Sequence, residues 1–287
     1  MNGFVLLLPN AHRDLGLHAS QQLAQHLEAH GHEVRIAPFL SDDIRHTWDK
    51  SIPTVNAAES VSGARLAVTL GGDGTILQAS RYLSGTGIPV IGVNMGNKGF
   101  MTELESADLL RVLEAADGNY TTLERMMLDL ELVRNGEVVY SGRALNEASV
   151  RALVSLVNVE AYGDGREITA FSGDGIIVST PTGSTAYSMA AGGPIVEPNA
   201  NCLIITPICA FRLAARSFVL TPDRFIQIRL PYQGEKQVML SVDGVGIDFL
   251  DGDELRVRRS DKSLLMAKIS DKSFYDMVFE KLNDKNY

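Results

Sequence analysis

The chain predicts a doubly wound parallel α/β domain followed by an antiparallel β-rich domain. Three observations carry this. Short apolar runs alternate with helical spacing through the first 119 residues, past Tyr120 the helical spacing stops, and the runs that follow are separated by the turn pairs Asn135-Gly136 and Asp164-Gly165. Strands separated by helices build parallel sheets, and Asn-Gly or Asp-Gly between alternating runs builds hairpins.

The elements follow in order. "FVLLLP" reads as a buried strand. Leu15, Ala19, Leu23 and Leu27 stand four apart on a helix that Gly31 closes. "EVRIAPF", "ARLAVTL" and "IPVIGVN" are the next strands, with a helix from Thr75 to Leu83 between the last two. A further helix starts with Ser106 as N-cap and ends before Gly118. The β half carries strands in "MMLDLELVRNGEVVYSGRALNEASV", "LVNVEAYGDGREITAF", "FIQIRLP", "KQVMLSVDG", "DELRVRRS" and "SLLMAKIS". "SFYDMVFEKL" is one amphipathic helix. The expected domains are 1–119, 120–265 and a C-terminal helix over 266–287 returning to the first.

Lys and Arg number 26 against 35 Asp and Glu, a net charge of -9, which argues against a nucleic-acid or membrane partner. The start lacks a basic region and a long apolar core, no segment approaches a membrane span, and Cys202 and Cys209 in "CLIITPIC" read as buried small hydrophobes. These features predict a cytoplasmic protein. All six histidines fall at or before His46, so chemistry elsewhere must use other groups. His26 and His30, one helical turn apart, read as a solvated face. Trp48 reads as a loop residue without function, and Lys98, Arg151, Arg166, Arg212 and Arg216 as surface charges.

Two stretches carry chemistry. "TLGGDGTILQ", residues 69–78, puts glycines between a strand and a helix, where open α/β sheets bind ligands. It is neither a P-loop nor a dinucleotide fingerprint. Its Asp73 is either a helix cap or a base. A carboxylate among phosphate-binding glycines suits phosphoryl transfer to an alcohol, where a hydroxyl proton must be accepted. "SGDGIIVSTPTGSTAYSMAAGGPIVEP", residues 172–198, reads as a turn-rich connection or as a hydroxyl-lined loop for a sugar, base and phosphate. "LNEASV" adds Asn146-Glu147 at the end of a β run.

Together "GGDGT", "LNE" and "DGIIVSTPTGSTAYSMAAGGP" resemble the motifs of the NAD kinase family, and "NMGNKGFMTE" resembles a fourth. The resemblance implies transfer of the γ-phosphoryl of ATP to the adenosine-ribose 2′-hydroxyl of NAD, giving NADP, with a divalent cation, Mg²⁺. It implies Asp73 as the proton acceptor with Gly74 in the same pocket, Phe100 against the adenine, Asn146 on the adenine edge and Glu147 on the ribose hydroxyls. Asp174, Thr185, Ala186, Tyr187 and Ser188 complete the implied dinucleotide site, and a homodimer or homotetramer is implied as well. Ala210-Phe211, Val245 and Gln78 depart from the family pattern, so no contact is carried over there. A lipid kinase sharing the G-G-D-G loop, and a sensor that binds NAD without turnover, are the alternatives.

Overall fold

The first strand, β1 (Phe4–Pro9), is buried along its whole length, as a strand covered on both faces requires. The computed structural model describes residues 3–38, 61–96, 99–211, 215–232, 234 and 236–282. Trp48, Lys98, Arg212 and the end of the expected second strand, Phe39, lie outside them. Contacts divide the chain into two units, Met1–Glu124 with Leu264–Tyr287, and Arg125–Ser263.

In the first unit α1 (His18–Ala29) follows β1. The Asp14 carboxylate accepts the backbone N–H of Ala19 (2.9 Å) and Ser20 (3.0 Å) and the Ser20 hydroxyl, satisfying donors at the start of α1. Leu23, Ala24 and Leu27 face the core, and Gly31 at φ +85° ends the helix with its N–H on the Glu28 carbonyl. Leu15, expected on the helical face, instead sits in a 3-10 turn (Leu15–Leu17) and is 68% exposed. Gly16 and Leu17 both take left-handed φ there, which separates that turn from α1.

Strand β2 (Val34–Ile36) pairs parallel with β1, and β3 (Ala64–Gly71) pairs with β1 on its other side. Helix α2 (Asp73–Leu83) leads to β4 (Val90–Asn94), parallel to β3, and β5 (Leu104–Glu105) adds to β4. The order is therefore β2-β1-β3-β4, and it reverses between β1 and β3. The segment expected as a helix from Ser106 is a 3-10 turn to Arg111 and then α3 (Val112–Ala116). Its N-cap position is Glu105 and no side chain caps it. Gly118 follows at φ +89°.

In the second unit β6 (Thr121–Arg134) and β7 (Glu137–Ala144) form a hairpin through Asn135 and Gly136 at φ +52° and +84°, the signs a type I′ turn needs. Next come β8 (Glu147–Ala152), β9 (Val157–Gly163) and β10 (Arg166–Gly173). The β9–β10 turn has Asp164 and Gly165 at φ +52° and +78°. Strand β11 (Gly175–Ser179), within the stretch expected as a turn-rich connection or hydroxyl-lined loop, is wholly buried. Beyond it lie α4 (Tyr187–Ala190), β12 (Leu203–Ile208), β13 (Phe218–Leu220), β14 (Ile226–Arg229), β15 (Val238–Val242) and β16 (Val245–Phe249). An antiparallel sheet runs β13-β12-β11-β8-β15-β16. Strands β10, β9 and β14 pair in that order in the other sheet, which β17 (Glu254–Lys268) continues, and the core draws Val150, Ile176 and Val178 from the first set and Val159, Ile226 and Ile228 from the second.

One strand, β17 (Glu254–Lys268), replaces the two expected after residue 250. Its start pairs with β14, and its end pairs in the first unit, Met266 beside Val90. Helix α5 (Phe274–Leu282) also belongs to the first unit, and Glu103 accepts the Ile269 and Ser270 N–H groups just before it. Cys202 is buried as expected. Cys209 is not: it is exposed, at φ +46°, just past the end of β12. Among the described residues no helix is long and apolar enough to cross a membrane. His30 is exposed and its Nδ1 lies 2.8 Å from the His26 carbonyl oxygen, as suits a helix surface.

Asp14→Ala removes three acceptor contacts at once. It should destabilise the protein by about 1–3 kcal/mol in urea unfolding, the cost of an N-terminal cap plus an unsatisfied buried donor. A change below about 0.5 kcal/mol contradicts the capping role.

Candidate active site

The glycine turn follows β3 at the carboxyl edge of the sheet, beside the point where strand order reverses. That edge is where open α/β sheets accept ligands. Its glycines answer different needs. At Gly71 a Cβ would lie 2.0 Å from Thr75 Oγ1, so packing excludes a side chain. At Gly72 and Gly74 a Cβ meets nothing within 4 Å, and neither residue has positive φ. Gly72 is the N-cap of α2, a position glycine suits, whereas neither backbone conformation nor packing calls for glycine at Gly74, where its absent side chain leaves room for a bound molecule.

Asp73 opens α2, yet α2 has no side-chain cap. Its carboxylate instead accepts the N–H of Phe100 at Oδ2 (2.7 Å) and of Met101 at Oδ1 (3.0 Å). The helix-cap alternative is thereby corrected, because the two oxygens reach across to the segment after β4. A Cβ at Gly99 would stand 1.9 Å from Oδ1, so only glycine lets that segment close on the carboxylate. Each carboxylate oxygen retains a second lone pair, so these bonds leave room to accept a proton. Phe100 is half-buried, with the Lys281 ammonium of α5 4.3 Å from its ring centre. Arg13, after β1, lies against Gly96, where a Cβ would be 3.0 Å from Nη1. Sequence reasoning missed both cations because each is remote in sequence from the turn it joins.

In the second unit the Asn146-Glu147 pair begins β8 and lies against β11, with Ser179 directly opposite Glu147. The chain then folds over this point. Thr180 N–H donates to the Asn146 carbonyl (2.9 Å), and its hydroxyl donates to the Leu145 carbonyl (2.6 Å) and accepts the Gly183 N–H (3.0 Å). A Cβ at Gly183 would lie 2.1 Å from the Asn146 carbonyl oxygen. Ser184 bonds Val196, Thr185 donates to the Thr182 carbonyl (3.2 Å), and the buried Ser188 hydroxyl pairs with Thr206 (2.9 Å). Those hydroxyls are engaged within the chain.

Others are not. Among the described residues six buried side-chain polar atoms have no hydrogen-bond partner. Four of them are Asn146 Oδ1, Glu147 Oε2, Ser179 Oγ and Thr182 Oγ1. Each such atom costs about 1–3 kcal/mol unless something satisfies it, so four in two facing segments mark a place built to receive polar groups. Burial, with the Asp243 charge, pushes the Glu147 carboxyl up to about 8. At neutral pH it carries a proton and offers both a donor and an acceptor. Ala186 and Tyr187 are half-buried at the start of α4. Asp174, also half-buried, accepts a hydrogen bond from the Cys209 thiol, whose pKa that bond raises.

The structure therefore groups the expected residues in two sets: Asp73, Gly74 and Phe100 in the first unit, and Asn146 and Glu147 with the 179–188 stretch in the second. The departures at Gln78, Phe211 and Val245 are all exposed, as are Arg151, Arg166 and Arg216.

Residues 12–117 match the model of the ATP-NAD kinase N-terminal domain, and 145–269 that of the ATP-NAD kinase C-terminal domain. The chain belongs to the ATP-NAD kinase family. An NAD kinase of Geobacter metallireducens is 41% identical over 252 residues, covering 86% of this chain and 88% of that protein. One of Geotalea daltonii is 35% identical over 267 residues, covering 92% of each. Yeast NADH kinase, solved in complex with NADH, superposes with a TM-score of 0.84 at 26% identity, covering 100% of this chain and 89% of its own. As an ATP-NAD kinase the chain phosphorylates NAD to NADP with ATP as donor. The lipid-kinase and sensor alternatives give way to that activity.

The raised Glu147 carboxyl has a stability consequence. The folded state holds its proton up to about 8 while the unfolded chain releases it near the ordinary 4.5. The contribution of Glu147 to stability is therefore greatest below 4.5 and is lost as pH rises from there through 8. Glu147→Gln should flatten that decline, which is at most about 1.4 kcal/mol per pH unit, and be more stable than the parent at pH 9 in urea unfolding. Equal pH dependence of both proteins contradicts the raised value.

Proposed function

We propose that Asp73 is the general base of NAD phosphorylation and that the two motif segments of the second unit hold the dinucleotide. The observation carrying the first assignment is the glycine turn itself. It places a carboxylate at the carboxyl edge of a parallel sheet, between two glycines whose Cβ positions are open space. A ribose hydroxyl is a poor nucleophile at neutral pH, and a positioned acceptor lowers the barrier as its oxygen bonds to phosphorus. Asp73 takes that proton while the γ-phosphoryl moves from ATP to the 2′-hydroxyl.

The unsatisfied atoms of Asn146, Glu147, Ser179 and Thr182 support the second assignment. Asn146 Oδ1 accepts the adenine amino group, and the protonated Glu147 carboxyl donates to and accepts from ribose hydroxyls. Phe100 stacks on the adenine, and Tyr187 packs its ring on the ligand. Asp174, Thr185, Ala186 and Ser188 complete the surface. Ser188, whose hydroxyl is engaged by Thr206, contributes through its backbone.

A divalent cation, Mg²⁺, would neutralise charge on the transferring phosphoryl group. Magnesium in such enzymes is held by one or two carboxylates together with substrate phosphates. Asp73, in the glycine turn, would be the carboxylate available to a cation arriving on the triphosphate. We place the enzyme in the cytoplasm, as its free cysteines suit, and as a homodimer or homotetramer. Exposed apolar side chains such as Val154 (92%) and Phe211 (81%) support self-association.

Two variants test the first assignment. Asp73→Asn keeps size and one acceptor oxygen but cannot take the proton, so turnover should fall at least about a hundredfold while NAD still binds. Turnover within about threefold of normal places the base elsewhere, and loss of NAD binding with activity makes Asp73 a structural residue. Gly74→Ala meets no atom of the chain and improves a helical position by about 0.5–1 kcal/mol. It should hold or raise stability while lowering activity, and unchanged activity contradicts a ligand at that glycine.

A further inference from the structure

The hairpin joining β15 to β16 turns at Asp243 and Gly244, with φ +45° and +82°, a third type I′ turn. Its aspartate does more than turn the chain. Asp243 Oδ2 accepts the N–H of Leu145 (2.7 Å), and Oδ1 accepts those of Asn146 (3.0 Å) and Glu147 (3.1 Å). The Asp243 N–H donates to the Glu147 carbonyl (3.1 Å). Three successive backbone donors converge on one carboxylate, an arrangement that fixes the peptide planes of the residues ahead of β8. On the other side two of these residues, Leu145 and Asn146, are held through their carbonyls by Thr180. The segment is gripped from both sides, by an acceptor at 243 and by donors at 180.

This grip matters because of what it aims. Asn146 Oδ1 and Glu147 Oε2 are two of the unsatisfied buried atoms, and their directions follow from the backbone that Asp243 holds. A carboxylate is also the strongest acceptor for a row of N–H groups, worth about twice a neutral one. Left-handed φ is strained for most non-glycine residues and least so for Asp and Asn, so the position suits an aspartate that both turns and accepts.

We propose that Asp243 is a positioning residue for NAD: it sets Asn146 and Glu147 in their binding geometry without touching the dinucleotide. The inference rests on the assignment of those two residues to the NAD site. Its second effect is electrostatic. Two strands flank Glu147. From β11 it faces the uncharged Ser179, and from the β15–β16 hairpin it faces Asp243, whose negative charge adds to burial in holding the Glu147 proton on.

Steady-state kinetics of the intact enzyme with separate NAD and ATP titrations test this, using Asp243→Ala and Asp243→Asn. Asp243→Ala removes every acceptor and should raise the NAD KM at least about tenfold, while the ATP KM moves less than about twofold. Asp243→Asn keeps one acceptor oxygen and tolerates the left-handed φ, so it folds and binds NAD better than the alanine variant. It removes the charge, however, so the pH limb of NAD KM assigned to Glu147 should move acid by at least about half a pH unit. Equal rises in both KM values, or an unshifted limb in a folded Asp243→Asn enzyme, overturn the proposal. Loss of folding in both variants also overturns it, since Asp243 would then serve the fold alone. If the parent enzyme shows no Glu147-dependent limb, and Glu147→Gln leaves NAD KM unchanged, the site assignment fails and not Asp243's grip.

Discussion

The β-rich unit depends on a missing side chain. Gly183 lies so close to the Asn146 carbonyl that a single added carbon would overlap it, and this contact lets the hydroxyl-rich segment fold down over the start of β8. Thr180 then reaches the Leu145 and Asn146 carbonyls, and β11 ends opposite Glu147. Both motif segments owe their mutual placement to that approach. Buried polar atoms that a self-contained fold would satisfy stay open there, and the fold compensates with the continuous apolar strands on either side.

The first unit solves a related problem with a carboxylate. Asp73 ties the 99–101 segment to the glycine turn through two backbone N–H groups, and Gly99 makes the approach possible. The residue proposed to take the substrate proton thus also holds Phe100 by its own N–H. Chemistry and positioning meet in one group, so substitution there changes both, and kinetic and binding readouts must be separated.

Much of this was legible in the sequence, for physical reasons. Continuous apolar runs gave the parallel strands, and Asn135-Gly136 and Asp164-Gly165 gave the hairpins because few other residues tolerate left-handed φ in succession. The motifs marked, through family resemblance, the residues proposed for the site. Other features were hidden. Strand β11 lies between glycine and Ser-Thr-Pro, so its five buried residues read as part of a connection. Leu15 keeps the helical spacing, but Gly16 and the left-handed Leu17 end the register. The third type I′ turn, at Asp243-Gly244, falls at the end of the expected strand "KQVMLSVDG", although it carries the same dipeptide signal. The partners of Asp73 and Asp243 lie 27 and about 97 positions away, and no local pattern announces such contacts. Cys209 shows the limit of composition: its neighbours are apolar, yet the strand ends one residue earlier and leaves it exposed.

The central claim is that the open polar atoms of the second unit are acceptors and donors for NAD. A crystal structure of the enzyme with NAD tests it most directly. The account predicts Asn146 Oδ1 and Glu147 Oε2 within about 2.6–3.2 Å of adenine or ribose polar atoms, with the Asp243 contacts to 145–147 intact. NAD bound with both atoms still unpaired, or bound elsewhere on the chain, would contradict it.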